Sequence, residues 1–247
     1  EIKNMPKQGL RMEGKYNIID GLDVHHNKLT GIHIVSPYEA FPYGQYGSWN
    51  TLQNIKAHDN SDVGLGGEGQ DYNLGGNADG ISISSGEGNI IKNSITERNS
   101  DDGMDVWRST NSRISYSIAT ANGLGGGNGM GFKAGGASPS NGTVVDHSIA
   151  YNNREVGFDT NSGLNVIFDK VTSWNNAGHG FYTYSTTKTL NSIAVANNPN
   201  YGGSGTATNN SWQRSGNVTF ISTNPSSPDF LRPTPNGGFA DIGAYAP

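Results

Sequence analysis

Apolar residues along this chain come two or three at a time, and no window keeps them at helical spacing for long. Triplets such as Asn89-Ile90-Ile91, Thr143-Val144-Val145 and Asn165-Val166-Ile167 recur regularly, each setting β-branched residues beside a polar one. A disordered chain does not produce that regularity. Few residues favour helix, so the pattern predicts short strands separated by turns.

The runs belong to a repeat. An Asn turn is followed by Gly, an apolar residue, a variable residue and usually a second apolar one. It reads Asn27…Gly31-Ile32-His33-Ile34, Asn99…Gly103-Met104-Asp105-Val106, Asn122…Gly131-Phe132-Lys133-Ala134, Asn152…Gly157-Phe158-Asp159 and Asn175…Gly180-Phe181-Tyr182. Gly80-Ile81-Ser82-Ile83 follows the same form after an insertion, and the steps from Gly80 are 23, 28, 26 and 23 residues. A second strand begins about eight to ten residues after each Gly, as at Asn111-Ser112-Arg113-Ile114.

Such a repeat predicts coils of short strands with alternate side chains pointing inward, each coil pairing with the next. The fold class is therefore all-β, a right-handed parallel β-helix. Asn tolerates left-handed backbone and hydrogen-bonds readily to a neighbour, so Asn returning at one corner predicts a ladder. A sandwich or propeller would set hairpin turns about 8–12 residues apart, without one residue type returning at a longer period. One domain is expected over 1–247, with coils over about 14–200 and an irregular tail over 201–247 along or capping the last coils. Two stretches break the period. Ser36–Trp49 carries Pro37, Pro42 and the aromatics Tyr38, Phe41, Tyr43, Tyr46 and Trp49, and Gly66–Ala78 is Gly-rich. A shorter glycine run, Gly123–Gly129, precedes Lys133. Insertions in solenoids project from one face and form a binding wall there.

Composition narrows the partners. Gly makes up 36 of 247 residues, charged residues 15% and hydrophobic residues 33%. A net charge of −5 and a pI near 5.6 exclude a nucleic-acid partner, which needs a basic face. No apolar run is long enough to span a membrane. With no Cys there is neither a disulfide framework nor thiol catalysis. The polar surface chemistry suits a secreted, extracellular protein. The abrupt opening at Glu1 suggests a removed leader and missing amino-terminal coils.

Register places the chemistry. Residues at equal offset from the repeat Gly should lie one strand spacing, about 4.8 Å, apart. Asp79 then stacks on Asp102, with Asp101 beside it. Two residues after the Gly the column runs Ser82, Asp105, Lys133, Asp159, Tyr182. Four carboxylates and one amine therefore meet on one edge of three consecutive coils. Carboxylates so close repel unless a cation or protons intervene, and hard oxygen ligands in this number suit Ca²⁺. The bland reading is a solvated acidic corner, since Asp-Asp-Gly is a common turn. The matching phase of Asp79 and Asp105 favours a metal site of Asp79, Asp101, Asp102 and Asp105, with Asp62 a second-choice ligand. His residues, His179 included, read as surface or stacking residues.

Lys133 would be an ordinary solvated lysine on a loop, but its phase puts it one coil from Asp105. A nearby divalent cation would lower its pKa and favour the neutral amine, a base. Arg108 and Arg154 are candidate partners for substrate carboxylates, with a purely structural role as the alternative. Trp107, Tyr182 and Tyr184 would stack on sugar rings or on adjacent coils. The groups suit a polymeric uronate: a cation on its carboxylate acidifies the carbon-bound proton beside it, a neutral Lys removes that proton, and the β-linked glycosidic oxygen leaves.

Asn77-Ala78-Asp79-Gly80, Asn99-Ser100-Asp101-Asp102-Gly103-Met104-Asp105 and Gly129-Met130-Gly131-Phe132-Lys133 resemble, in order and approximate spacing, the motifs of polysaccharide lyase family 9, the L-type pectate lyases. The resemblance runs from about Asn17 to Asn198. It implies a ten-coil-like β-helix with an Asn ladder, Ca²⁺ held by residues matching Asp79, Asp101, Asp102 and Asp105, and a Lys base matching Lys133 where other pectate lyases use Arg. This chain is shorter and lacks the family's amino-terminal region, and members of the family also act on acidic polymers other than pectate. The expected partner is an acidic polysaccharide, pectate first, taken by a monomer with Ca²⁺. Three rivals stand beside this. A polygalacturonase-type hydrolase is echoed by Asn77–Asp79, Asp101-Asp102 and Gly178-His179-Gly180, but His179 would sit about three coils from Asp102, and no Arg-Ile-Lys-like substrate clamp is present. A C5-epimerase shares the proton abstraction and needs a second donor. A non-catalytic β-helix binding module would use the acidic cluster only to stabilise coils.

Overall fold

The computed structural model describes residues 1–37, 46–65 and 74–246. Tyr38, Phe41, Pro42, Tyr43 and most of the Gly66–Ala78 stretch lie outside the described residues.

The chain winds through three parallel sheets in turn, each with eight strands. Sheet 1 runs from Ile2–Lys3 to Ile193–Val195, sheet 2 from Leu10–Met12 to Tyr201–Gly203, and sheet 3 from Ile18–Asp20 to Thr206–Thr208. Each coil thus contributes one short strand to each sheet, and the coils form a right-handed parallel β-helix. The sequence pattern resolved two strands per coil and missed the third. Strands of sheets 3 and 1 are separated by two residues, as in Ile90–Lys92 and Ile95–Glu97, and read as one polar-interrupted run. The first of those two residues takes a left-handed backbone, as at Asn93 (φ 49°) and Asn191 (φ 47°), which bends the chain sharply.

Inward and outward faces follow the pleat. In sheets 1 and 3 the middle residue of each strand points into the core, as do Val24, Ala57 and Ala119, and Leu52, Ile91 and Ile114. Sheet 2 is reversed. Ile81 and Ile83, and Met104 and Val106, point inward, so the middle residues Ser82 and Asp105 face out. Above them Phe132, Phe158 and Phe181 stack through the core at centroid separations of 4.9 and 5.1 Å, with Trp212 set against Phe181 at 5.1 Å. Such pairs add about 0.5–1.5 kcal/mol each beyond burial.

The corner between sheets 1 and 2 carries the asparagine ladder. Each side-chain N–H donates to the next side-chain carbonyl from Asn27 through Asn60, Asn99, Asn122, Asn153 and Asn176 to Asn197, at 2.9–3.0 Å. The rungs Asn27 to Asn176 are at most 2% exposed. This corrects two positions: Asn153 and Asn176 are rungs, not Asn152 and Asn175. Those two take the left-handed position just before the rung and bond each other on the exposed side, at 2.7 Å. A rung lies four residues before its Gly at Asn27, Asn99, Asn153 and Asn176, whereas insertions intervene after Asn60 and Asn122.

Three expectations change in extent. Strands begin at Ile2 and continue to Thr208, beyond the expected 14–200, and the described residues make eight coils rather than ten. The insertions add no coil, because Ile32 pairs directly with Ile81. Past Thr208 the chain lies along sheet 1: Phe230, Leu231 and Ala244 pack with Ile149, and Phe239 and Ile242 with Ile193. Among the described residues no helix is long and apolar enough to cross a membrane.

Replacing Asn99 by Ala would leave the buried backbone and side-chain N–H groups of Asn60 without their shared acceptor. Asn99→Ala is expected to lower unfolding free energy by about 2–4 kcal/mol. Asn175→Gly, which keeps the left-handed backbone, should stay within about 0.5 kcal/mol of the parent. Chemical denaturation of both variants checks the assignment; equal losses would overturn it.

Candidate active site

The same corner that holds the ladder delivers the carboxylates. Asp79 and Asp102 each precede the repeat Gly, and the Asp102 N–H donates to Asp79 Oδ1 at 3.2 Å. The Gly80 N–H donates to the Asp102 carbonyl at 3.0 Å, so the two aspartates sit one coil apart. A Cβ on Gly103 would meet the Gly131 carbonyl at 2.6 Å and the Asn122 side-chain nitrogen at 2.8 Å. Only glycine allows that approach, which fixes the phase of the carboxylate before it.

Strand pairing confirms the column: Ser82 pairs with Asp105, Asp105 with Lys133, Lys133 with Asp159 and Asp159 with Tyr182. Lys133 Nζ donates to Asp102 Oδ2 at 3.0 Å and to Asp105 Oδ2 at 3.1 Å, and lies 5.6 Å from the Trp107 ring centre. Asp79, Asp101 and Asp102 offer carboxylate oxygens within 4.8 Å of one another. Asp105 stands apart from that trio and joins it through Lys133.

The glycine run before Lys133 has a task the sequence did not disclose. The Asn128 N–H donates to Asp101 Oδ1 and the Met130 N–H to Asp102 Oδ1, both at 2.7 Å. Arg154 holds this loop, its Nη1 donating to the carbonyls of Gly125 and Gly127 at 2.7 and 2.9 Å. These two bonds give Arg154 a structural role, the alternative that stands beside substrate binding for this residue. Arg108 follows Trp107 with its Nε buried and unbonded, and does not line the cavity described below. Asp62 lies one coil below Asp101 and accepts from Ser100 Oγ at 3.0 Å, its other oxygen buried without a partner. His179 packs edge-on against Tyr182, and Gly180 is three coil steps from Gly103 through Gly131 and Gly157.

The electrostatics follow from burial. Asp79 is pushed well above the carboxylate range by burial first, then by Asp105, Asp101 and Asp102. Burial and Asp102 push Asp101 up to about 8. Burial pushes Asp105 up to about 6, against the pull of Lys133. Burial alone would lower the Lys133 ammonium, but Asp105, Asp102, Asp79 and Asp101 outweigh it and hold the proton on. Without a cation, then, Lys133 is the counter-charge of the cluster rather than a base. Asp159, on its other side, is pushed by burial to about 6.

A cavity of about 300 Å³ opens over this edge, lined by Asp79, Asp101, Asp105, Lys133 and Trp107 together with Gln8, Thr30, His33, Asn77, Ser82 and Ser84. Asn77 belongs to the glycine-rich insertion, which so forms part of the wall. Trp49 does not: it stacks on Tyr16 at 5.2 Å. His33 is a lining residue the motifs missed. It pairs with Ser82 one coil below Asp105, bonds Ser84 Oγ at 2.7 Å, and burial and Arg11 lower its pKa to about 4. Extending the Ser82–Asp105–Lys133 column one coil backward would have found it. The donor set fits Ca²⁺: acidic oxygens from several chain positions converge, and Asp105 Oδ1 is buried with no hydrogen-bond partner.

Comparison with known proteins bears on the family and the fold. Residues 1–211 match the family described as Pel9A-like, right handed beta helix region. The chain is 28% identical over 201 residues to pectate lyase L of Paenibacillus polymyxa, covering 73% of this chain. It is 30% identical over 227 residues to pectate lyase L of Dickeya chrysanthemi, covering 86%. It spans 42% and 49% of those relatives' own lengths. The crystal structure of pectate lyase Pel9A superposes with a TM-score of 0.73 at 24% identity, over 95% of this chain and 62% of the other, a likeness that shows the fold.

The raised carboxylates carry a pH signature. Between the unfolded value of 3.8 and the folded value near 8, Asp101 binds more protons folded than unfolded. Stability must therefore fall as pH rises through that window. Asp79 and Asp105 act in the same direction, His33 opposes them between about 4 and its ordinary 6.5 but is outweighed, and the gain from Lys133 is constant below its ordinary 10.5. In chelator the melting temperature is expected to decline from pH 4 to 8, and added Ca²⁺ should flatten the decline. Asp79→Asn, which still accepts the Asp102 N–H, should weaken it in chelator and blunt the Ca²⁺ response. A flat profile in chelator would overturn the repulsion account.

Proposed function

The chain belongs to the Pel9A-like right-handed β-helix family, polysaccharide lyase family 9, and on that premise we propose that it cleaves an acidic uronate polymer by Ca²⁺-dependent β-elimination, with Lys133 as base. Polygalacturonate is the first substrate to test, and an extracellular setting follows from a polymer of that size. The observation that carries the reading is Lys133 itself. A buried lysine, gripped by Asp102 and Asp105, lines an open acidic cavity in strand register with both neighbours.

Asp79, Asp101, Asp102 and Asp105 would hold the cation. Bound there, Ca²⁺ would engage the carboxylates that now retain the Lys133 proton and withdraw charge from a substrate carboxylate, acidifying the carbon-bound proton beside it. The chain's own residues do the rest. Asp102 and Asp105 aim the amine at the cavity, and the Trp107 face packs against it. The amine, once neutral, takes the C5 proton. The C–H electrons form the double bond of an unsaturated uronate as the β-glycosidic oxygen departs. The glycine loop keeps Asp101 and Asp102 in place through two backbone N–H groups while the charge around them changes.

The hydrolase reading loses support on distance: Gly178-His179-Gly180 is three coils from Asp102, too far to act on the same bond. Lys133→Ala is expected to reduce formation of ultraviolet-absorbing unsaturated ends from polygalacturonate by about 10²–10⁴-fold, with fold and Ca²⁺ binding retained. A chelator should remove the remaining activity. Undiminished activity in Lys133→Ala would exclude it as base, and new reducing ends without unsaturation would restore the hydrolase.

A further inference from the structure

Away from the cavity, three imidazoles meet at the amino-terminal end of sheet 1. His25 pairs in strand register with His58 of the next coil, and their rings stack at 4.7 Å, nearly parallel at 9°. His26 follows His25 at the left-handed corner position (φ 55°), which turns its ring back toward the pair. His25 Nδ1 and His26 Nδ1 face each other at 2.7 Å. One nitrogen from each of His25, His26 and His58 lies within 4.8 Å of the others.

The far sides of the two stacked rings are already held. His25 Nε2 is 2.8 Å from Glu1 Oε1, and His58 Nε2 is 3.0 Å from Asp23 Oδ1. A carboxylate at Nε2 keeps the proton there and leaves the Nδ1 lone pair pointing at the corner, the arrangement that orients metal-ligating histidines. The near side is where a cation could take the place of protons. Two Nδ1 atoms at 2.7 Å need one proton between them, and His58 lies between two carboxylates, its Nδ1 also 2.6 Å from Asp59 Oδ2. A cation taking one near-side nitrogen from each ring would replace the near-side protons and leave both carboxylate-held Nε2 protons in place. Asp59, held by Arg98 at 2.8 and 2.9 Å, sets its Oδ2 beside His58 Nδ1, and on binding it would turn aside or add one oxygen to the imidazole nitrogens.

We propose that His25, His26 and His58 form a binding site for a borderline divalent cation of the Zn²⁺ or Cu²⁺ kind, separate from the carboxylate site, with Glu1 and Asp23 orienting its ligands. Imidazole nitrogen selects such ions over Ca²⁺, which takes oxygen. Tetrahedral zinc at about 2.0–2.1 Å sets ligand nitrogens about 3.3 Å apart, so the His25–His26 pair needs to open by only about 0.6 Å. His26 is exposed and free to make that adjustment. Because His25 and His58 lie on successive coils, the ion would tie those two coils together.

The test uses the full chain without a polyhistidine tag, with the carboxylate site saturated by Ca²⁺. Titration with Zn²⁺ is expected to show one equivalent bound and a raised melting temperature. His26→Asn, which suits the left-handed backbone, should weaken Zn²⁺ roughly tenfold or more, and Asp23→Asn by about tenfold through its ligand's orientation. In the Cu²⁺-loaded protein, electron paramagnetic resonance should show three coupled imidazole nitrogens in the parent and two in His26→Asn. Cleavage of polygalacturonate by His26→Asn should equal the parent's, which separates this site from the lyase reading. Equal Zn²⁺ affinity in parent and His26→Asn, or no Zn²⁺ bound by either, would leave only a hydrogen-bonded imidazole cluster and overturn the proposal.

Discussion

The buried asparagine column between sheets 1 and 2 sets the phase of everything that follows it in each coil. Every rung after Asn27 uses its carbonyl to accept both the backbone and side-chain N–H of the rung before it, as Asn122 does for Asn99. The second side-chain N–H goes to a strand carbonyl, from Asn99 to Ala57 for example. A rung out of register would strand several buried polar groups at once, each costing about 1–3 kcal/mol. That penalty is far larger than the small difference between neighbouring strand registers on a flat sheet. It explains how the chain accepts a long insertion between Ile32 and Ile81 and still resumes at the same phase.

Because the corner is so constrained, residues placed just after it are forced together whether or not they attract. Asp79, Asp101 and Asp102 occupy that position, and the fold holds them against their own repulsion. Three features offset the cost. Lys133 supplies an opposite charge from the next coil, and the glycine loop supplies two backbone N–H donors. Asp102 itself donates its N–H to Asp79. The result is a preorganised demand for positive charge, satisfied by an internal ammonium until something else enters. On the proposed reading, a base kept protonated by the groups that would hold the cation would be released when those groups are engaged, which would couple the two.

Much of this was legible beforehand because a solenoid turns spacing into position. Asp79 over Asp102, and Lys133 beside Asp105, needed only the offset from the repeat Gly. What escaped notice lies where the offset is uninformative. The third strand of each coil is three residues long and separated by two from its neighbour, below the resolution of any periodicity. Asn152 and Asn175 were preferred to Asn153 and Asn176 because adjacent asparagines compete for one rung, and only burial separates them. The glycine run signalled a loop but not that its N–H groups would reach Asp101 and Asp102. Arg154 carries two readings in sequence because its charge is visible there, whereas the carbonyls it binds are not.

The same stacking rule also separates readings that share residues. Asn-x-Asp, Asp-Asp and Gly-His-Gly elements all occur here, and a motif search weighs them equally. Along a solenoid axis each coil is about 4.8 Å, so elements on one or two neighbouring coils can touch one sugar ring while elements three coils apart span roughly 14 Å. Lys133 falls on the near side of that boundary and His179 on the far side, although both follow a repeat-like glycine. Proximity to the carboxylates, rather than residue type, is what assigns the chemistry. A lysine that touches two of the four aspartates has the means to sense their charge; a histidine packed on Tyr182 does not.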